Sequence, residues 1–287
     1  MRSNVAEYDL IAPATLTTAL AVLNQDPGRY TPIAGGTEVM VALSAGRLVP
    51  KQLISINHLK ELRFIEVSAN AVTIGSGTTF TDLRRNSTIA NDFTLLAQAA
   101  SWTGSIANQN RGTLGGNIVN GSPAADSPPA LLAYDAELTL ISARGSRTMP
   151  YRDFHLGYKK TALHPEELLY SIRLERRFAG YLSYARKVGT RNAQAISKVA
   201  LAGLALVEDK TIRDIRVGAA SLRERPVRCS AVERALIGHP ITSETIAAAR
   251  AALATEARPI DDIRSTAKYR AVVAANLLEE FLRRLPG

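Results

Sequence analysis

Cysteine is almost absent from this 287-residue chain: its one thiol, Cys229, excludes an internal disulfide and a cysteine-ligated iron–sulfur cluster, which needs about four thiolates. Histidine is nearly as scarce. His58, His155, His164 and His239 are scattered, with no metal-ligand spacing and no His-Glu-x-x-His, so no bound metal is expected. Aromatic residues are 6% of the chain, and none interleaves with the basic clusters Arg84-Arg85, Arg176-Arg177, 223–228 and Arg283-Arg284 as a base-stacking surface would require. The net charge of +9 therefore points to solvated faces or an acidic partner protein rather than to nucleic acid. No apolar run approaches the roughly 20 residues of a membrane helix, and residues 1–7 lack the apolar core of a secretion signal; a cytoplasmic location is expected. There is no Gly-x-Ser-x-Gly, and no histidine stands near Cys229 in sequence, so no catalytic residue is expected in this chain.

Against these absences stand two glycine pairs in similar settings. Ile33-Ala34-Gly35-Gly36-Thr37-Glu38 lies near the start, and Arg111-Gly112-Thr113-Leu114-Gly115-Gly116-Asn117 follows later. Each pair follows a stretch that can be an extended strand and precedes small or hydroxyl-bearing residues, an arrangement in which consecutive N–H groups converge on an anion. A diphosphate fits that description. For the first pair the pattern predicts a strand over 30–34, a turn at Gly35-Gly36-Thr37, and a helix over 38–45 ending near Gly46. Thr37 could add a hydroxyl donor, and the positive end of the helix dipole would favour phosphate oxygens.

Around these segments the chain reads as a compact β-α-β unit: a helix over 15–24 with Leu16, Ala19, Leu20 and Leu23 at helical spacing and Thr15 as its cap, then the glycine turn, then a strand over 52–56. A hairpin around Ser68-Ala69-Asn70 opens a second, mixed subdomain. Gly75-Ser76-Gly77-Thr78-Thr79-Phe80 nearly matches a dinucleotide fingerprint, but it lacks the last glycine and the later acid, and it reads as a turn. Helices are expected over 79–85 and 93–102, and a strand pair over 137–142 and 145–149. Past a boundary at 176–180 come strands over 181–188, 200–208 and 212–220, with Asp209-Lys210 a hairpin tip. Helices over 242–257 and 265–285 follow, the latter with Tyr269, Val273, Leu277 and Phe281 on one core-facing stripe.

Several segments together resemble one family, the FAD-binding medium subunits of the molybdenum hydroxylases, the group of xanthine and carbon monoxide dehydrogenases. The family's first FAD loop, Ala-Gly-Gly-Thr-acid, matches Ala34, Gly35, Gly36, Thr37 and Glu38; its second, Arg-Gly-Thr-aliphatic-Gly-Gly-Asn, matches Arg111, Gly112, Thr113, Leu114, Gly115, Gly116 and Asn117. An acid that follows the second loop falls on Asp126. Ser197-Lys198-Val199-Ala200 resembles a segment with a flavin-contacting lysine, here Lys198, and Glu167-Leu168-Leu169 one whose aliphatic residue lies against the flavin. Residues 258–270 resemble the closing signature of the third domain. One departure is plain: relatives commonly carry Pro-Gln-Ile-Arg-Asn before the second loop, where this chain reads Ile106-Ala107-Asn108-Gln109-Asn110.

The resemblance implies an α+β fold: a two-subdomain FAD-binding domain of the vanillyl-alcohol-oxidase (PCMH) type over 1–176, with subdomains of about 1–58 and 59–176, then a small C-terminal domain of antiparallel sheet and helices over 177–287. It implies FAD as cofactor, with glycines 35, 36, 115 and 116 and Thr37 at the phosphates, Ile33 and Leu169 on apolar parts, and Asp126 and Lys198 as polar anchors. It also implies a small iron–sulfur subunit and a large molybdenum-cofactor subunit as partners, NAD, oxygen or another carrier as acceptor, and a dimer of heterotrimers. The segments 154–159 and 227–229 look more like purine-oxidising relatives, a pointer to xanthine or another N-heterocycle. Two other readings remain open at this point: a free-standing FAD-dependent oxidase, and a cofactor-free basic scaffold or nucleic-acid adaptor.

Overall fold

The computed structural model describes residues 5–49, 51–191 and 194–286; residues 1–4, part of the stretch read above for a secretion signal, lie outside them. The first unit is a parallel three-stranded sheet in the order Asp9–Ile11, Gln52–Ser55, Tyr30–Ile33. Helix Leu16–Gln25 buries Ala19, Leu20 and Leu23. The Thr15 hydroxyl caps it by accepting the Thr18 N–H at 3.2 Å. Asp9–Ile11 had no sequence signal, because three residues are too few to show an alternation.

An antiparallel five-stranded sheet follows, ordered Ile65–Val67, Ala71–Gly75, Leu168–Glu175, Glu137–Ser142, Gly145–Pro150. Its central strand, Leu168–Glu175, was not legible as a strand. Leu168 belongs to the core that includes Ala19, Leu23 and Leu62, whereas Leu169 belongs to the core that includes Phe80 and Leu114. With apolar cores on both sides, the strand carries no polar–apolar alternation.

The C-terminal part is an antiparallel sheet ordered Leu182–Val188, Val199–Glu208, Thr211–Ala220, Val227–Arg228, packed with helices Ser230–Leu236, Ser243–Glu256 and Ala267–Arg283. Asp209 and Lys210 turn the hairpin with φ of 50° and 61°. Leu277 and Phe281 are buried as the stripe predicts, but Tyr269 is 43% exposed. At that turn Arg270 takes the inward position, donating to the carbonyls of Lys198 and Ser221 and to Asp262 Oδ1.

The two parts meet closely. Helix Pro128–Ala133 lies on strand Thr211–Ala220, where a Cβ at Gly218 would sit 2.2 Å from the Pro129 carbonyl oxygen. Asp135, at φ 51°, receives Arg177, Arg216 and Arg228. Among the described residues, no helix is long and apolar enough to cross a membrane.

Candidate cofactor site

The first glycine segment leaves the carboxyl end of strand Tyr30–Ile33 and enters helix Val39–Ser44. Gly36 makes the bend at φ +78°, a left-handed conformation that side chains other than glycine adopt at a cost. The helix is shorter than the sequence suggests, and the segment's main chemical resource is its backbone. Among the described residues, no acceptor takes the N–H of Gly35, Gly36, Thr37 or Glu38. Consecutive open N–H groups around such a bend form an anion-binding concavity.

The second segment is built differently, which corrects the expectation of a strand before it. Helix Ile106–Arg111 precedes it, started by a Ser105–Asn108 capping box, and Leu114–Val119 is itself a short helix containing both Gly115 and Gly116. Thr113 is its N-cap, with Oγ1 accepting the Gly116 N–H at 3.0 Å. The N–H of Leu114 goes to the Thr78 carbonyl at 2.9 Å and that of Gly115 to the Ser76 carbonyl at 2.9 Å, while Asn117 donates to the Thr113 carbonyl at 3.0 Å. The Gly75–Phe80 stretch, read as a turn, therefore serves as the shelf for this segment. Gly115 lets the shelf approach: a Cβ there would lie 2.5 Å from Ser76 Cβ. The residues that depart from the family pattern do structural work here, with buried Gln109 bonded to the Ser101 carbonyl and to Arg84.

These two segments meet. A Cβ on Gly35 would stand 1.7 Å from the Arg111 carbonyl oxygen, and one on Gly112 would stand 3.5 Å from Thr37 Oγ1. Glu38 pairs with Lys159 at 3.2 Å, whose N–H donates to the Gly121 carbonyl at 3.3 Å. Thus the two segments adjoin through Gly35 and Arg111, 76 positions apart, with Gly112 to Gly115 buried, Gly116 exposed and Asn117 half-buried. Asn117 Oδ1 accepts the Ser127 hydroxyl at 2.6 Å, which leads toward Asp126.

Leu168 and Leu169 are buried, each 4% exposed, with Leu169 in the same core cluster as Leu114 of the second segment and Leu168 in the core under the first sheet; the next carbonyl, that of Tyr170, accepts the Ser76 N–H at 2.8 Å. Asp126 is held by Lys187 Nζ at 2.7 Å and Ser197 Oγ at 2.8 Å. Burial pushes its carboxyl above the usual range, opposed by the Lys187 charge and by both hydrogen bonds. Lys198 is not Asp126's partner: its ammonium lies 5.3 Å from the centroid of the Tyr269 ring. Lys187 gave no sequence signal, since its partner lies 61 positions earlier. A cleft of about 290 Å³ lined by Leu131, Asp135, Arg152, Arg173 and Arg177 contains no residue of either glycine segment.

Residues 6–175 match the family described as the FAD binding domain in molybdopterin dehydrogenase, and residues 184–285 match the CO dehydrogenase flavoprotein C-terminal domain. The chain belongs to the FAD-binding medium subunits of the molybdenum hydroxylases. It is 30% identical over 265 residues to the glyceraldehyde dehydrogenase medium chain of Sulfolobus acidocaldarius, covering 92% of this chain and 93% of that one. It is also 30% identical over 259 residues to the xanthine dehydrogenase FAD-binding subunit of Escherichia coli O157:H7, covering 90% and 88%. Among solved structures, carbon monoxide dehydrogenase from Hydrogenophaga pseudoflava superposes with a TM-score of 0.91 at 29% identity, covering 95% of each chain. As a medium subunit of this family, the chain carries FAD and is the flavoprotein part of an oxidoreductase complex, distinct from the molybdenum subunit.

Proposed function

We propose that the open N–H groups of Gly35, Gly36, Thr37 and Glu38, with the Thr37 hydroxyl, bind the diphosphate of FAD. The unclaimed donor row is the observation that carries this reading, and Gly35, where any side chain would strike Arg111, is the cradle that keeps it close to the second segment. Gly112, Thr113, Leu114, Gly115, Gly116 and Asn117 supply the opposite wall, contacting the cofactor mainly through the exposed face at Gly116 and Asn117. Ile33, Ala34, Leu168 and Leu169 give apolar support, and Asp126 and Lys198 are the polar anchors. The division at residue 176, with subdomains meeting near 58, puts both glycine segments in the first domain and Lys198 in the second.

FAD supplies a carrier that accepts electrons from one-electron donors and delivers them singly or in pairs. This chain's residues bind it, orient it and shield it. In this reading electrons arrive from the iron–sulfur clusters of a small partner subunit, fed by a large molybdenum-cofactor subunit, and leave to NAD, oxygen or another acceptor. The complex is a cytoplasmic dimer of heterotrimers acting on xanthine or another N-heterocycle. Support for the substrate comes from the resemblance of residues 154–159 and 227–229 to purine-oxidising relatives. His155 and Cys229 are themselves buried, whereas Leu156 and Tyr158 are exposed.

Purification of the chain with its companions from the source cells, followed by its visible spectrum, tests the proposal. Flavin bands over broad iron–sulfur absorbance that bleach on adding xanthine or another N-heterocycle are expected. A lone chain with flavin bands, or a complex bleached only by substrates of other classes, contradicts it.

A further inference from the structure

Asp126 belongs to the N-terminal part, yet the side chains that hold it come from the C-terminal sheet. Lys187 stands on strand Leu182–Val188 and Ser197 just before strand Val199–Glu208. The Lys187 and Asp126 side chains are 9% and 10% exposed. Lys187 Nζ also donates to the Trp102 carbonyl at 3.1 Å, so one ammonium spans two N-terminal elements. A carboxylate has about four acceptor positions, and Lys187 and Ser197 use two, leaving two for N–H or O–H groups of a ligand. The neighbouring Lys198 ammonium lies over the Tyr269 ring, so Lys187 is the lysine bonded to Asp126. Removing one member of such a buried pair strands the other charge, so Asp126 cannot keep this pose without Lys187.

We propose that Lys187 is a positioning residue for the FAD site: it fixes the Asp126 carboxylate with its two open acceptor positions facing the cofactor, and so makes the C-terminal sheet part of the grip on FAD. This rests on Asp126 being an FAD anchor. The test uses the full chain in its complex, stripped of flavin, and measures FAD affinity and then the flavin midpoint potential at saturating FAD. Lys187→Met should weaken FAD binding on the order of tenfold, as loss of an outer partner of a ligating group does, and should shift the midpoint potential. Lys187→Arg should restore both. The double variant Lys187→Met with Asp126→Asn, which leaves no stranded charge, should bind FAD no more weakly than Asp126→Asn alone. Unchanged affinity and potential in Lys187→Met, whatever happens to its melting temperature, would overturn the proposal. So would a double variant weaker than Asp126→Asn by the full Lys187→Met factor. If Asp126→Asn binds FAD as well as the unsubstituted complex, the anchor reading fails and the inference with it; failure of the unsubstituted, stripped complex to rebind FAD would count against the site as a whole.

Discussion

The two glycine segments look alike in sequence and are put to different uses. In the first, Gly35 to Glu38 present N–H groups that no described residue accepts; in the second, Leu114 to Asn117 spend theirs on Thr113 and on the carbonyls of Ser76 and Thr78. In the proposed site the first segment is the ligand cradle and the second a structural wall that holds the cradle's far side. A Gly-Gly pair therefore marks a place where backbones come close, and the hydrogen-bond inventory decides whether the close neighbour is a cofactor or another strand of the protein.

Substitutions can separate the two uses. The largest effect is expected from Gly35→Ala, whose methyl would fall 1.7 Å from the Arg111 carbonyl oxygen at the junction of the segments. Stability should drop by roughly 3 kcal/mol or more, and the purified chain should lack flavin. Gly115→Ala is next: a Cβ 2.5 Å from Ser76 Cβ should cost about 1–3 kcal/mol in denaturant titrations, with FAD affinity of the folded protein reduced less than by any change at Gly36. Gly36→Ala reverses that balance. A Cβ there would make ordinary contacts with the Ile33 and Met40 side chains, the nearest being Ile33 Cδ1 at 3.6 Å, so the stability loss is the roughly 1–2 kcal/mol of a left-handed alanine, while FAD affinity falls out of proportion. Equal losses of affinity in the Gly36 and Gly115 variants would erase the distinction.

The smallest effect is expected at Glu167, which bonds to neither segment and precedes strand Leu168–Glu175. The Arg147 guanidinium, bonded to both of its oxygens, holds its carboxyl below the ordinary value of 4.5, helped by the His164 N–H. A depressed folded value means that this stabilisation is complete above about pH 4.5 and is lost as pH falls through the folded value. Glu167→Gln should flatten the acid limb of the stability curve below pH 4.5, change stability at pH 7 by about 1 kcal/mol, and leave FAD binding in place.

Much of this architecture was legible because it rests on local rules. Thr15 caps its helix, Asp209-Lys210 turns its hairpin, and Gly36 bends where only glycine bends cheaply. The helical placement of Gly115-Gly116 was not legible, since two glycines oppose helix propensity and only the Thr113 cap and the Ser76–Thr78 shelf overcome them. Leu168–Glu175 was hidden by its two buried faces. Tyr269 fits the apolar stripe by spacing, yet Arg270 takes the interior because three acceptors await it. Lys187 was invisible for a similar reason: nothing near it in sequence hints that Asp126 needs a cation.

Residue-resolved amide hydrogen exchange, with and without FAD, tests the central claim most directly. Exchange at Gly35, Gly36, Thr37 and Glu38 should be fast in the stripped protein and strongly slowed by FAD, while Leu114 to Asn117 should be protected in both states. Fast exchange at Leu114 to Asn117 that FAD suppresses, with no change at Gly35 to Glu38, would contradict the account.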